Sequence, residues 1–347
     1  MTSRRRTGLF ATVFLTGYFG AIATTYAGQA LSTTPLAIPN GAGGIGFDDL
    51  GFAPGLHKVI VPAGRTGNLV LVEPGSNKTE VIGGFSSQAT FTGGHGEGVT
   101  SADVGRSGIF ATDHDEQTLD LVDPQSKQIL AKTKLAAEPD YVRYVAATNE
   151  VWVTEPRASQ IEIFSLPEHG FPEPNHAATI SIPTGPESLL IDGARGRAYT
   201  NLWTDRTLAI DLKQRAVVAR WKNGCRGSRG TALDSARGFL FVGCKEGKLE
   251  SLSVKDGRHL GEASSGSGVD IIAYAPSLRH AYLPGGDSAT MAVIGISMNG
   301  TPTVLETVTT AKHSHCVTTD DLGNAYVCDP QAGQLLVIHD TVAAAAQ

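Results

Sequence analysis

The sequence predicts an all-β protein, a seven-bladed β-propeller of four-stranded antiparallel blades whose ring is closed by an N-terminal strand. Three observations carry that prediction. The unit at 186–212, PESLLIDGARGRAYTNLWTDRTLAIDL, reads as three strands: the apolar run SLLI, a turn cluster DGARG, the run RAYTN, a polar turn and the run TLAID. Copies of this unit align on Asp49, Glu97, Asp140, Glu187, Arg229, Asp270 and His315, spaced 41 to 48 residues apart, which is the length of one four-stranded blade. The composition agrees, because 41 Gly and 17 Pro with little helical periodicity suit many short strands joined by tight turns.

Taken in order, the chain opens on a segment unlike the repeats. Arg4, Arg5 and Arg6 precede an apolar stretch from Leu9 to Ala23, and Thr25-Tyr26-Ala27 offers a small-residue cleavage point. Residues 1–27 therefore read as a secretory signal peptide, leaving 28–347 as the propeller domain and a periplasmic or secreted location. That leader holds three of the 28 Lys and Arg and no acid, so its removal takes the formal charge from −6 to −9. A chain this acidic, with no Lys/Arg run beyond residue 6, lacks the basic patch that nucleic acid requires. No later stretch is long and apolar enough to span a bilayer.

The next segment, Thr34–Pro39 (TPLAIP), lies ahead of the first repeat. The seventh repeat ends on its third strand, so a fourth must come from elsewhere to cover its open edge. This segment supplies it, and its prolines suit an outer-edge position. The glycine-rich Gly41–Gly46 (GAGGIG) has no helix after it to hold a phosphate, and reads as a flexible lead-in to the first blade.

The second and third strands of the copies carry a family likeness. Val151–Glu155 (VWVTE) and Ala198–Asn201 (AYTN), each followed by a turn and a strand such as TLAID, resemble the YVTN β-propeller repeat family. The resemblance spans nearly all of 28–347, with drifted copies at Phe239–Cys244 and Tyr282–Gly286. It implies a scaffold that carries binding, lactone chemistry or redox chemistry in different proteins, and so implies fold more than function.

Cysteines occur only in the fifth and seventh repeats. Cys225 and Cys244 flank one first hairpin, and Cys316 and Cys328 flank the other, so each pair faces across two antiparallel strands. Disulfides Cys225–Cys244 and Cys316–Cys328 are the expectation in an oxidising compartment. Each would close a loop worth about 3 kcal/mol on the chain-entropy estimate. Neither CxxC zinc spacing nor a CxxCH haem motif is present.

In a propeller the starts of the first strands crowd around the central channel. That places His95, Glu97, Asp140, Glu187, Arg229, Asp270, His313 and His315 around one funnel, an unusually polar set beside apolar strands. His313 and His315 fall on one face of an extended segment, and with His95 and Glu97 they form a candidate site for a divalent metal ion. The strand ends add a rim of Asp113, His114, Glu155, Arg157, Trp203, Lys245 and Asp329. The expected function is binding of a small molecule or protein partner at this funnel, without catalysis. Two alternatives stand beside it: a lactonase-like hydrolase or isomerase using the same residues, and a propeller subunit of a quinone-dependent dehydrogenase. No GxSxG elbow or Walker A loop is present.

Overall fold

The computed structural model describes residues 1–2, 31–168 and 173–343. The proposed leader at 1–27 lies, apart from its first two residues, outside the described residues. Among the described residues the chain forms seven four-stranded antiparallel sheets, six with their strands in sequential order and one completed by the N-terminal strand. Blades 1 to 6 span 51–83, 99–134, 142–181, 187–222, 228–264 and 273–309; blade 7 takes three strands from 317–339. The first strand of every blade touches the first strands of both neighbours, blade 7 against blade 1 included, so the ring is closed. No helix among the described residues is long and apolar enough to cross a membrane.

Blade geometry explains the hydrophobic pattern. A second strand is covered on both faces by adjacent blades and is buried along its whole length, as in Gly108–Asp113 and Glu150–Glu155. A fourth strand has one face in water, and Gln128–Lys134 alternates between exposed and half-buried positions. The third residue of the second strand is an aromatic in six blades: Phe110, Trp152, Tyr199, Phe241, Tyr282 and Tyr326, all fully buried. Each wedges between blades, where loss of such a ring costs about 3–5 kcal/mol. The polar ends of several are held: Tyr282 donates to Asp340 (2.6 Å), Tyr326 to Asp320 (2.9 Å) and the Trp152 N–H to Glu150 (2.9 Å).

Closure follows the expected scheme. Thr34–Ala37 pairs antiparallel with Gln334–His339 as the outermost strand of blade 7, Thr34 opposite Val337 and Ala37 opposite Gln334. Beyond it Ile38, Ile45 and Phe47 are buried in the core. Where the two chain ends cross, a Cβ on Gly41 would lie 2.2 Å from the Gly333 carbonyl oxygen, and Gly333 itself has φ +61°, so both positions require glycine. The expectation of a flexible lead-in at Gly41–Gly46 is corrected here. Arg65 donates to the carbonyls of Gly44 (2.6 Å) and Ala42 (2.8 Å), and the Ile45 N–H donates to Pro330 (2.8 Å), which pins the segment across the top of the ring.

Both cysteine pairs form as expected: Cys225–Cys244 and Cys316–Cys328 are bonded, with Cα separations of 5.2 and 5.6 Å. No free cysteine is found among the described residues.

Deleting residues 33–40 should lower the thermal midpoint sharply, because it uncovers the edge of Gln334–His339 and removes the buried Ile38. The point change Ile38→Asp should lower it in the same direction, as an unpaired charge forced into a core is strongly destabilising. Scanning calorimetry reads both, and a truncated protein that melts like the full chain would refute closure by this strand.

Candidate functional site

Each fourth strand connects to the next blade's first strand over the same end of the ring, so seven connectors converge on the channel mouth. The mouth holds two adjoining cavities of about 360 and 300 Å³ that share His95 and Asp270. The larger is lined by Asp48, Asp140, Tyr141, Glu187 and Trp203, with Pro139 and Pro156 as apolar wall and His114, Glu138 and Arg157 at the rim. The smaller adds Arg229, Lys245, Asp287, His313 and His315. Seven of the eight funnel residues expected from the sequence therefore meet at one mouth. Glu97 does not line either cavity: it accepts a hydrogen bond from Thr92 (2.8 Å) within its own loop.

Tyr141 is the floor. It also lines a third cavity of about 270 Å³ farther down the channel, and so stands between mouth and channel. Below it the Arg143 guanidinium sits 5.2 Å from the Tyr141 ring and grips both oxygens of Asp49 (2.5 and 2.9 Å), while Ser101 donates to the same carboxylate (2.5 Å). Asp49, the repeat position read from the sequence, thus ties blades 1, 2 and 3 together inside the channel. Its neighbour Asp48 points the other way, into the mouth. Sequence alignment missed Asp48 because adjacent residues of an extended chain face opposite sides, and only one of the pair was aligned.

The electrostatics are those of crowded carboxylates. Asp48, Asp140, Glu187 and Asp270 share the mouth with His95 and Arg229. His95 Nδ1 lies 3.3 Å from Asp48, and that carboxylate, helped by Asp270 and Asp140, pushes the imidazole up to about 10 although 44% of the side chain is exposed. Arg229 is shared at 3.7 Å by Glu187 and Asp270. Burial, then repulsion from Asp270, raises the Glu187 carboxyl to about 7, against the opposing pull of Arg229 and of the Trp203 N–H that it binds. Asp140 is pushed well above the usual carboxylate range by burial, with Asp48 and Glu187 adding to the effect.

For a metal, the donors of His95, Asp270 and His315 come within 4.8 Å of one another, whereas Glu97 and His313 are not in that group. His315 has both ring nitrogens against backbone carbonyl oxygens, those of His313 (2.7 Å) and Phe47 (3.0 Å), so ligation would require breaking one of these contacts. Its ring lies 5.2 Å from that of His95. Three residues expected on the rim, Asp113, Glu155 and Asp329, are buried instead, and Asp329 accepts from the Gln334 side-chain amide (2.9 Å). Asp113 accepts from the Ser86 N–H (2.7 Å), and Glu155 from the Ala137 N–H (3.1 Å); these two serve as loop anchors.

No protein-family model matches the chain, and no curated protein is similar to it in sequence. The expected membership of the YVTN repeat family is therefore not confirmed. Solved structures do resemble it. A chain of the mitotic checkpoint complex matches at 13% identity over 96% of this chain and 99% of that one, with a TM-score of 0.73. The RRP9 WD40 repeats match at 10% identity over 90% and 99%, with a TM-score of 0.70. A chain of Kuenenia stuttgartiensis hydrazine synthase matches at 12% identity over 93% and 100%, with a TM-score of 0.68. Likeness at such identity shows the propeller fold and nothing of the chemistry at its mouth.

The raised groups give the mouth a pH signature. A carboxyl raised from 4.5 to about 7 in the folded state holds a proton that the unfolded chain has released, so its contribution to stability falls as pH rises between those values. Glu187→Gln removes that dependence. Its melting midpoint should decline less than the parent's between pH 5 and 8, the range spanning this titration. Parallel melting curves across that range would contradict the assignment.

Proposed function

We propose that this chain is an exported β-propeller scaffold that binds a small molecule or a protein partner at the mouth of its central channel. One observation carries the reading: five carboxylates, two imidazoles and an indole line a cavity of about 360 Å³, although a ring needs no such grouping to stand. Burying like charges together opposes folding, and ligand recognition is a reason for a protein to tolerate it. Export is supported by the Arg-rich leader pattern and by two disulfides, which persist in oxidising compartments. Propellers that serve within assemblies, such as the chain from the mitotic checkpoint complex, make a scaffold role a natural use of the fold.

A second reading draws on Glu187. A carboxyl near 7 suits general acid–base catalysis, so a hydrolase or isomerase of the lactonase kind is the enzymatic alternative. The same cavity would hold its substrate.

A thermal-shift screen of the purified protein against small metabolites tests the binding reading. A ligand at about 100 times its dissociation constant stabilises a protein by about 2.7 kcal/mol, enough to detect. Trp203→Ala and His95→Ala should both alter the shift; Trp203→Ala, at a residue 41% exposed at the lip, should leave the unliganded midpoint within a few degrees, whereas His95→Ala should lower it by leaving the buried Asp48 unpaired. A stabilising ligand indifferent to both changes would place the site elsewhere.

A further inference from the structure

We propose that the larger mouth cavity is selective for a small organic ammonium ion, its N–H groups bonded to Asp48 and Asp140 and its carbon body lying on Trp203. This rests on the reading of the mouth as a binding site and adds the ligand's chemical class.

The argument starts from missing donors. Asp48 is only 7% exposed at its side chain, and its one polar partner among the described residues is His95 at 3.3 Å, which leaves the rest of its acceptor capacity unused. Asp140 lines the same cavity, and among the described residues its carboxylate has neither a hydrogen bond nor an ion pair. The guanidiniums nearby are engaged, Arg157 with Glu138 at 2.8 Å and Arg229 between Glu187 and Asp270, and Lys245 lines only the adjoining smaller cavity. Crowded carboxylates short of donors are costly, and a ligand carrying several N–H groups on a positive centre satisfies them.

Trp203 defines the rest of the ligand. Its side chain is 41% exposed, and its indole N–H is fixed on Glu187, which holds the ring at the cavity wall. An indole face attracts cations and packs against alkyl or aryl carbon, while Pro139 and Pro156 extend the apolar wall. A volume of about 360 Å³ limits the guest to a small molecule.

Two other guests fit less well. An anion would enter against five carboxylates whose nearby guanidiniums are already paired. A divalent metal would draw on His95, Asp270 and His315, which excludes Asp48 and Asp140 and disturbs a carbonyl contact of His315.

Titration calorimetry on the exported chain, with phenethylammonium, tetramethylammonium, 3-phenylpropionate and zinc chloride as probes, decides among them. Phenethylammonium should bind more tightly than tetramethylammonium, which has no N–H to donate, and 3-phenylpropionate should give no heat. Asp140→Asn should weaken phenethylammonium by about tenfold or more, the scale of a charge-assisted hydrogen bond. Trp203→Ala should weaken it by about two- to fivefold, the scale of an exposed cation–π contact. Asp48→Asn provides a second acidic variant should Asp140→Asn fail to fold. The proposal is overturned if 3-phenylpropionate binds as well as the amine, if zinc alone binds, if neither ammonium probe binds at millimolar concentration, or if the acid variants bind unchanged. A neutral or anionic ligand lost in Trp203→Ala but kept in Asp140→Asn would sink the cationic class while leaving the mouth as the binding site.

Discussion

Closure of the ring by the two chain ends is the constraint on which the rest of this structure depends. Blade 7 has only three strands of its own, and its outer edge would stand unpaired without Thr34–Ala37. Having supplied that strand, the chain must travel from the outside of blade 7 to the inside of blade 1, over the end of the ring. The crossing at Gly41 and Gly333 and the clamp from Arg65 hold this passage in place. The passage then delivers Phe47 and Asp48 to the mouth, where the Phe47 carbonyl meets His315 and Asp48 meets His95. One segment thus closes the fold and builds part of the candidate site.

The other connectors repeat the arrangement. His95, Asp140, Glu187, Arg229, Asp270 and His315 all lie between a fourth strand and the strand it leads to, or within the first two residues of that strand. Such segments lack a regular ladder to fix them. Cys225 stands four residues ahead of Arg229, and Cys316 directly follows His315, so both disulfides anchor mouth connectors to second strands that are buried throughout or nearly so. The bonds therefore hold polar groups in position as well as limiting the unfolded chain.

What the sequence reveals and what it conceals follow from the range of each interaction. Strand order, blade number, closure and cysteine pairing are properties of repeat length and two-residue periodicity, and a copy such as RAYTN or VWVTE displays them locally. The choice between Asp48 and Asp49 is set by the turn of a connector, and no period records it. Glu97 occupies the right place in the repeat, yet Thr92 five residues earlier captures it. His315 was legible as a mouth residue, but its two carbonyl partners were not, since one of them lies 268 residues away on the closing segment. GAGGIG reads as mobile because its restraint, Arg65, lies in the turn after the first blade's second strand.

The charges at the mouth then explain each other. With Arg229 divided between two acids, one imidazole opposes the two remaining carboxylates, and the excess is absorbed as protons: His95 retains its own to high pH while Asp140 and Glu187 acquire theirs early. Protons are the most weakly specified occupant that such a site can hold, because they neutralise charge without filling the cavity or using the Trp203 face. Any guest that supplies positive charge together with volume relieves both deficits at once, and the displaced protons leave to solvent. The mouth is in this sense an unfilled electrostatic arrangement supported by a fold whose stability lies elsewhere, in the aromatic wedges between blades and in the strand that joins the first blade's lead-in to the last blade's edge.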